Sequence, residues 1–362
     1  MAHQFGLLIV ALGLLLFPEP SSAPKPCHEA AHATAKELQP FLGDLEAAHK
    51  EARERNAPLL IHIILEGEEQ NDEYRDNLLP NRELIELSEG CVVIVGNNGE
   101  HRLTTVTGKD GEKRQVCSAY QMFANCGQHR ATWDPIYHAY QDDNGELGCP
   151  QTVLHGPDGE IVWRHNVRNP APAGEIVKAI KAAKKKYGPS LSPDELRTVK
   201  GHDVATKNAA KALDWPKVWE RSAAILEISQ LGVWAEAAKA AQESALKELR
   251  AQLAALEERF VPGQAAEAWR ELTTLEAATR KLPIARELST LKKKIERDKA
   301  IKGELALIKA ELAAEAIEAE AEALLRRGEE RKAMRTFKKI LGKRYTETET
   351  AKRVRARFPD LQ

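Results

Sequence analysis

Two cysteines and a histidine stand close together in the first half of the chain. Cys117 and Cys126 bracket a short segment, and His129 follows the second cysteine by about one helical turn. The two thiols can form a structural disulfide that closes a surface insertion, they can form a redox-active dithiol, or they can bind zinc or copper together with His129. The spacing matches no standard zinc motif, so the sequence favours the disulfide over the other two.

Cys149 is another cysteine that can do chemistry, and it directly precedes Pro150. Three roles suit it: a small buried apolar residue, a disulfide partner and a lone reactive thiol. It is also a candidate fourth ligand for a metal bound by Cys117, Cys126 and His129. Since the chain has five cysteines, at least one of them is unpaired, intermolecular or a ligand.

Composition narrows the functional class. The 362 residues suffice for two or three domains, and 53 Lys and Arg against 54 Asp and Glu give a net charge of −1. This balance argues against a general nucleic-acid-binding protein, which would be basic. The sequence contains no glycine-rich phosphate loop and no His-Glu-x-x-His metal helix. We therefore predict no cofactor, and only the cysteines support an enzymatic role.

The N-terminus carries an apolar run from Phe5 to Phe17, followed by small residues at 21–23. The run is shorter than the roughly 20 residues that a membrane span needs, but it has the length of a signal-peptide core. We predict a signal peptide over residues 1–23, export to the periplasm or the extracellular space, and no membrane span after its removal. An exported chain meets oxidising conditions, in which disulfides form.

The first half of the chain alternates short apolar runs with helical patterns. The runs Leu59–Leu65 and Cys91–Val95 are predicted to be strands buried on both faces of a sheet. Pro157-Asp158-Gly159 predicts the turn of a later hairpin, and residues 127–140 predict a helix. An order of helix, strand, helix, strand, helix, hairpin and helix indicates an α/β layer with a mixed sheet.

The second half of the chain is rich in Ala, Leu, Glu, Lys and Arg, which is typical of long helices. A cluster of helix-breaking residues at 187–190 separates the two halves, and Ser192 and Glu195 follow with the spacing of a capping box. We predict an α/β domain over residues 24–187, a linker over 188–200 and an all-helical domain over 201–362.

Two stretches of the first domain, Ala57–Leu87 and Gly148–Val162, resemble the thioredoxin-like superfamily. The resemblance depends on two features. The first stretch has the order strand, loop, short helix and strand, and the second has a proline before its strand. It spans residues 35–187. The resemblance implies a mixed sheet flanked by helices and a cis peptide bond before Pro150.

The resemblance places the family's redox Cys-x-x-Cys where this chain has Glu68 and Asn71. A carboxylate and an amide cannot form the mixed disulfide through which that chemistry proceeds. The resemblance therefore implies the fold without the family's dithiol activity. Since no redox thiol is present at these positions for His62 to assist by proton transfer, His62 is expected to be a buried histidine of the core. The acidic residues between Glu66 and Glu73 predict a solvated loop, with a cation or basic-peptide site as the alternative.

Parts of the second half resemble tetratricopeptide repeats. Residues 321–337 have the spacing of one such unit with a turn at Gly328, and Leu231–Ala237 is similar to the turn of another. The resemblance implies helical hairpins whose surface binds a protein partner or mediates self-association. A long antiparallel coiled-coil hairpin over residues 286–326 is the alternative.

Charge is distributed unevenly near the C-terminus. Residues 304–330 are mostly acidic, and the segment from Arg331 to Arg357 is strongly basic. We expect each block to form a charged face in contact with solvent. In the alternative, the asymmetry attracts an anionic partner or orients a second copy of the chain in an antiparallel dimer.

These features favour an exported, non-catalytic protein-binding or scaffolding module. The first alternative is an atypical thiol–disulfide oxidoreductase that uses Cys149 or the pair Cys117 and Cys126. The second alternative is zinc or copper binding through Cys117, Cys126 and His129.

Overall fold

The computed structural model describes residues 38–108, 111–165 and 169–361. The predicted signal peptide and Cys27 lie outside these described residues. Within them, a small mixed sheet with flanking helices comes first, and a long series of helices follows. Among the residues described, no helix has both the length and the apolar character that a membrane span requires.

Strands build one four-stranded sheet and one separate hairpin in the first part of the chain. The strands are β1 (Leu59–Ile64), β2 (Val92–Asn97), β3 (Leu103–Thr107), β4 (Lys113–Cys117), β5 (Gln151–His155) and β6 (Ile161–His165). The larger sheet has the order β2-β1-β5-β6, in which β1 is parallel to β2 and antiparallel to β5, and β6 is antiparallel to β5. The mixed sheet predicted from the sequence is therefore present.

The central strands β1 and β2 are buried along their whole length, as their continuous apolar sequences predict. Because successive side chains of a strand point to opposite faces, each face of the sheet has its own core. Leu60 and Val93 pack in one core cluster, and Ile61 and Ile94 pack in the other. Both predicted strands are confirmed, with shifts of one or two residues at their ends.

Helices cover both faces of the sheet: α1 (Leu45–Arg55), α2 (Glu69–Glu73), α3 (Arg82–Ser88), α4 (Cys126–Arg130), α5 (Trp133–Tyr140) and α6 (Ala173–Tyr187). The helix predicted over residues 127–140 is divided into α4 and α5. Pro135 explains the division, because it has no N–H to donate to the carbonyl of Ala131 and so cannot continue the helix across that turn.

The hairpin formed by β3 and β4 was not predicted. Its register pairs Leu103 with Cys117 and Thr107 with Lys113. Every residue of β3 is exposed or half-buried, and in β4 only Val116 and Cys117 are buried. An isolated two-stranded hairpin is marginally stable in water. The stability of this hairpin therefore depends on contacts between the residues at its ends and the rest of the domain.

The second part of the chain is helical throughout the described residues, as predicted. Its helices are α7 (Pro193–Lys211), α8 (Trp215–Ile228), α9 (Gly232–Glu258), α10 (Ala265–Thr279), α11 (Ala285–Arg297), α12 (Lys302–Arg326), α13 (Glu330–Ile340) and α14 (Glu349–Arg357). The capping box predicted at Ser192 and Glu195 begins α7. Residues 286–326, for which a long coiled-coil hairpin was the alternative, form most of the two helices α11 and α12.

A buried arginine at the end of α1 joins the two parts of the chain. The Nε of Arg55 donates to the Leu191 carbonyl at 2.8 Å, and its two terminal nitrogens donate to the carbonyls of Cys91 and Glu89 at 3.3 Å. One guanidinium thus satisfies backbone acceptors that precede β2 and α7.

Part of the uneven charge near the C-terminus is paired within the chain. Arg353 and Arg357 of α14 form ion pairs with Glu318 and Glu322 of α12. Glu315 of α12 is paired in turn with an arginine of α10. The acidic stretch therefore faces basic side chains of neighbouring helices, and this pairing accounts for part of the asymmetry seen in the sequence.

Candidate metal centre

Four side chains of the described residues bring their donor atoms together beside the hairpin. They are His101, Cys117, Cys126 and His129, and their donor atoms all lie within 4.8 Å of one another. Cys117 Sγ is 3.7 Å from Cys126 Sγ, 3.4 Å from Nδ1 of His101 and 3.8 Å from Nε2 of His129. Cys126 Sγ is 3.7 Å from Nδ1 of His101.

Four of the six separations between these donor atoms are close to those of a tetrahedral metal site. With Zn–S bonds of about 2.3 Å and Zn–N bonds of about 2.0–2.1 Å, tetrahedral angles place two sulfurs about 3.8 Å apart and a sulfur about 3.6 Å from a nitrogen. The four distances above differ from these values by about 0.2 Å or less. These four distances therefore suit a zinc-sized ion, and the two remaining pairs, His129 with His101 and His129 with Cys126, lie within 4.8 Å.

The secondary structure explains why residues so distant in sequence meet here. His101 precedes β3 and Cys117 ends β4, so the pairing of these strands brings the two ends of the hairpin together. Cys126 and His129 are three residues apart in α4, which puts them on one face of the helix. A backbone hydrogen bond from Cys117 N to Phe123 O, 2.9 Å long, folds the connecting segment back toward the centre.

Both histidine rings are oriented by partners outside the cluster. Nε2 of His101 lies 3.0 Å from Oε2 of Glu66, and Nδ1 of His129 lies 3.0 Å from the backbone oxygen of Asn97. A carboxylate and a carbonyl only accept, so in each neutral ring the nitrogen beside the partner carries the proton. The other nitrogen then presents its lone pair to the sulfurs. Such partners are typical of histidines that ligate a metal.

The carboxylate of Glu66 is itself held in place. Asn97 Nδ2 lies 3.4 Å from Oε2 of Glu66, and the backbone N–H of Glu66 donates to Oδ1 of Asn98 at 2.9 Å. A Cβ atom at Gly99 would lie only 2.6 Å from the same carboxylate oxygen. Glycine at position 99 therefore allows the carboxylate to approach the backbone next to His101.

Burial shifts the pKa of two of the donors, Cys117 and His129. Cys117 and His129 are fully buried and Cys126 is 8% exposed. The rings of Tyr120 and Phe123 pack within 5.5 Å of the His129 ring. Burial raises the pKa of the Cys117 thiol and lowers the pKa of His129, so the imidazole is neutral at pH 7. Metal binding must therefore displace a proton from Cys117, and none from His129.

The structure brings together three residues that the sequence singled out and adds a fourth. Cys117, Cys126 and His129 lie in one cluster, as a metal site through them requires. His101 was missed, because it is remote in sequence and no local spacing links it to the others. A prediction of the β3–β4 pairing would have revealed it, since Leu103 pairs with Cys117.

Cys149 is not the fourth member of the cluster. It packs in the core cluster on the opposite face of the sheet, with Ile61 and Val153, whereas Cys117 and Cys126 belong to the first cluster. Burial raises the pKa of its thiol to about 12. The peptide bond between Cys149 and Pro150 is cis.

The cysteines of the described residues are free thiols: Cys91, Cys117, Cys126 and Cys149. The disulfide expected between Cys117 and Cys126 is therefore absent from this structure, although the two sulfurs are neighbours. Their 3.7 Å separation is close to that of two ligands of one metal ion and is much longer than a disulfide bond of about 2.05 Å.

The positions that the resemblance assigns to the redox pair have a local structural role. Asn71 is buried; its side chain accepts the N–H of Leu65 at 2.8 Å and donates to Glu68 at 3.0 Å. His62 is also fully buried, and its Nδ1 is hydrogen-bonded to the hydroxyl of Tyr74. These contacts stabilise the loop after β1 and the core beneath it.

Comparison with the models of known protein families and with curated proteins found no match for this chain.

Proposed function

We propose that this chain is a zinc-binding protein whose first domain holds one Zn²⁺ through His101, Cys117, Cys126 and His129. The observation that carries the proposal is that four donor atoms lie within 4.8 Å of one another, while the second ring nitrogen of each histidine contacts an acceptor outside the cluster. Two thiolates and two imidazoles are a common set of ligands for structural zinc, and tetrahedral S₂N₂ geometry favours zinc over octahedral oxygen-binding ions.

A set of four protein donors leaves no open position for water or substrate, which favours a structural role over a catalytic one. The ion would fasten the β3–β4 hairpin. His101 and Cys117 lie at the two ends of the hairpin, and Cys126 and His129 lie in α4, which packs against β2. Since the hairpin has little buried surface of its own, metal binding is the interaction that best explains how it keeps its position.

The surrounding architecture supports a thioredoxin-like domain in a scaffolding role. A β2-β1-β5-β6 order and a cis Pro150 at the start of β5 fit that fold. The helical hairpins that follow, tetratricopeptide-like in our proposal, expose extended surfaces suited to a protein partner or to self-association. Export to an oxidising compartment belongs to the same proposal and is supported by the apolar run at residues 5–17.

An oxidoreductase role has less support from the same residues. Cys149 is buried in an apolar cluster away from the other thiols, and burial raises the pKa of both Cys149 and Cys117. A thiol that attacks disulfides is usually one whose pKa is lowered.

The proposal is tested by metal analysis of full-length protein purified without an affinity tag. We expect about one zinc per chain by elemental mass spectrometry. Replacing a donor, as in Cys126→Ser or His101→Ala, should remove most of it, whereas Cys149→Ser should retain it. A wild-type protein that carries no zinc and takes up none in a titration would contradict the proposal.

A further inference from the structure

We propose that the zinc centre is also a redox switch, in which a low-molecular-weight disulfide such as oxidised glutathione joins Cys117 to Cys126 and releases the ion. This inference rests on the proposed zinc binding and adds a means of regulation to it. The sequence leaves open a disulfide and a metal site. In this proposal both exist as two states of one cluster: the reduced cluster binds zinc, and the oxidised cluster contains the disulfide.

The geometry of the two thiols permits both states. Their Sγ atoms are 3.7 Å apart, so forming a disulfide requires an approach of about 1.7 Å. Cys126 is the first residue of α4 and follows a loop, and Cys117 is the last residue of β4. Both side chains therefore lie where regular structure begins or ends, so a small displacement of one side chain need not break a strand or helix ladder.

Within the described residues, no other thiol competes for the pair. Cys91 Sγ contacts the carbonyl of Leu87 in α3, and Cys149 packs on the opposite face of the sheet. Neither belongs to the cluster of donor atoms around Cys117 and Cys126. Among the four cysteines of the described residues, oxidation therefore joins Cys117 only to Cys126.

Exposure assigns an order to the reaction. Cys126 is 8% exposed and Cys117 is fully buried, so an oxidant in solution reaches Cys126 first. The zinc-bound Cys126 thiolate attacks one sulfur of the small disulfide and displaces one small thiolate. The Cys117 thiolate then attacks Cys126 Sγ in the mixed disulfide and displaces the second.

The overall reaction is balanced in atoms, charge and electrons. Two protein thiolates lose one electron each and become the disulfide, and the small disulfide gains two electrons and becomes two thiolates. The zinc ion leaves because a disulfide sulfur carries no negative charge, and His101 and His129 alone are a much weaker ligand pair. Reduction by an excess of small thiol reverses the reaction and restores the metal site.

The experiment uses full-length, zinc-loaded protein treated with excess oxidised glutathione in the presence of a chromogenic zinc chelator. We expect release of one zinc per chain together with protection of Cys117 and Cys126 from alkylation. Cys117→Ser lacks a zinc ligand and is treated with oxidised glutathione without zinc; it should accumulate a glutathionyl group on Cys126, because the second thiol is absent. Cys149→Ser is the matched control and should release zinc as the wild type does.

Three outcomes separate the claims. Zinc that stays bound under excess oxidised glutathione contradicts the switch and leaves the zinc site intact. Zinc release with both cysteines still open to alkylation also contradicts it, because the disulfide would then not be the cause. A wild-type protein that binds no zinc before the oxidant is added contradicts the proposed function itself.

Discussion

Oε2 of Glu66 lies 3.0 Å from Nε2 of His101, and this contact determines which nitrogen of the ring faces the two sulfurs. Because the carboxylate accepts the Nε2 proton, Nδ1 is left as the donor, 3.4 Å from Cys117 Sγ. Glu66 comes from the loop after β1, so the acidic segment that the sequence suggested as a solvated loop contributes one residue to the surroundings of the centre.

Replacing Glu66 with alanine should weaken zinc binding. Loss of the partner frees the His101 ring to rotate and to change tautomer, and the loss of such partners lowers metal affinity by about 10- to 100-fold. Competition with a chelator of known affinity measures the change. Glu66→Gln, whose amide oxygen can still accept from Nε2, should restore part of the affinity.

Glu69→Ala is the matched control for that measurement. Glu69 is an exposed carboxylate in the same acidic segment and is not among the donors or their partners. An equal loss of affinity in the Glu69 and Glu66 variants would mean that general negative charge, rather than the contact with His101, is responsible.

Removing the metal should loosen the β3–β4 hairpin while the main sheet stays intact. The hairpin has little buried surface, whereas β1 and β2 are buried on both faces. Hydrogen exchange of the amides at residues 103–107 and 113–117 should accelerate at least about tenfold when a chelator strips the zinc. The amides of β1 should keep their protection; equal acceleration in β1 would indicate global unfolding instead.

His62 should make the free energy of unfolding depend on pH. Burial lowers its pKa from 6.5 to about 3, so below pH 6.5 the unfolded chain binds a proton that the folded chain does not. Stability contributed by the neutral ring is therefore present above pH 6.5 and falls by about 1.4 kcal/mol per pH unit as the pH drops toward 3.

Denaturant unfolding between pH 6.5 and pH 4 measures this slope for the wild type and for His62→Asn. The asparagine preserves a polar partner for Tyr74 but has no group that titrates in this range. We expect the free energy of unfolding of the variant to change less steeply with pH, by about 1.4 kcal/mol per pH unit, which is the contribution of one proton. Identical slopes in the two proteins would show that His62 does not titrate as its burial requires.

Arg55 should be needed for stability at the junction of the two parts of the chain. Lysine in its place has a single ammonium group and cannot reach the carbonyls of Leu191, Cys91 and Glu89 together. Leaving buried carbonyls unsatisfied should lower the free energy of unfolding by about 1–3 kcal/mol.

Arg82→Lys is the matched substitution for that comparison. The Arg82 side chain is 92% exposed and pairs with Glu86 on the surface of α3, so its replacement should change stability by less than about 0.5 kcal/mol. Urea unfolding of both variants gives the difference, and similar losses in the two would argue against a special role for Arg55.

The elements that the sequence predicted well are those with a strong local signal. The strand Leu59–Ile64 is a continuous apolar run, and α7 begins at a capping box, so neither depends on distant residues. The β3–β4 hairpin lacks both signals. Its residues are largely polar and exposed, and they were interpreted only as a surface insertion.

The candidate site was predictable in part for the same reason. Cys126 and His129 are neighbours on one helical turn, so their spacing alone suggests a shared role. His101 joins them only through the pairing of β3 with β4, and Glu66 joins through the loop after β1. Cys149 was suggested as a ligand because of its residue type, but it packs in the core cluster on the other face of the sheet.

The most direct test of the zinc centre is X-ray absorption at the zinc edge of the purified, full-length protein. We expect two sulfur donors at about 2.3 Å and two imidazole nitrogens at about 2.0–2.1 Å. A first shell made only of oxygen and nitrogen donors would contradict the assignment of Cys117 and Cys126 as ligands.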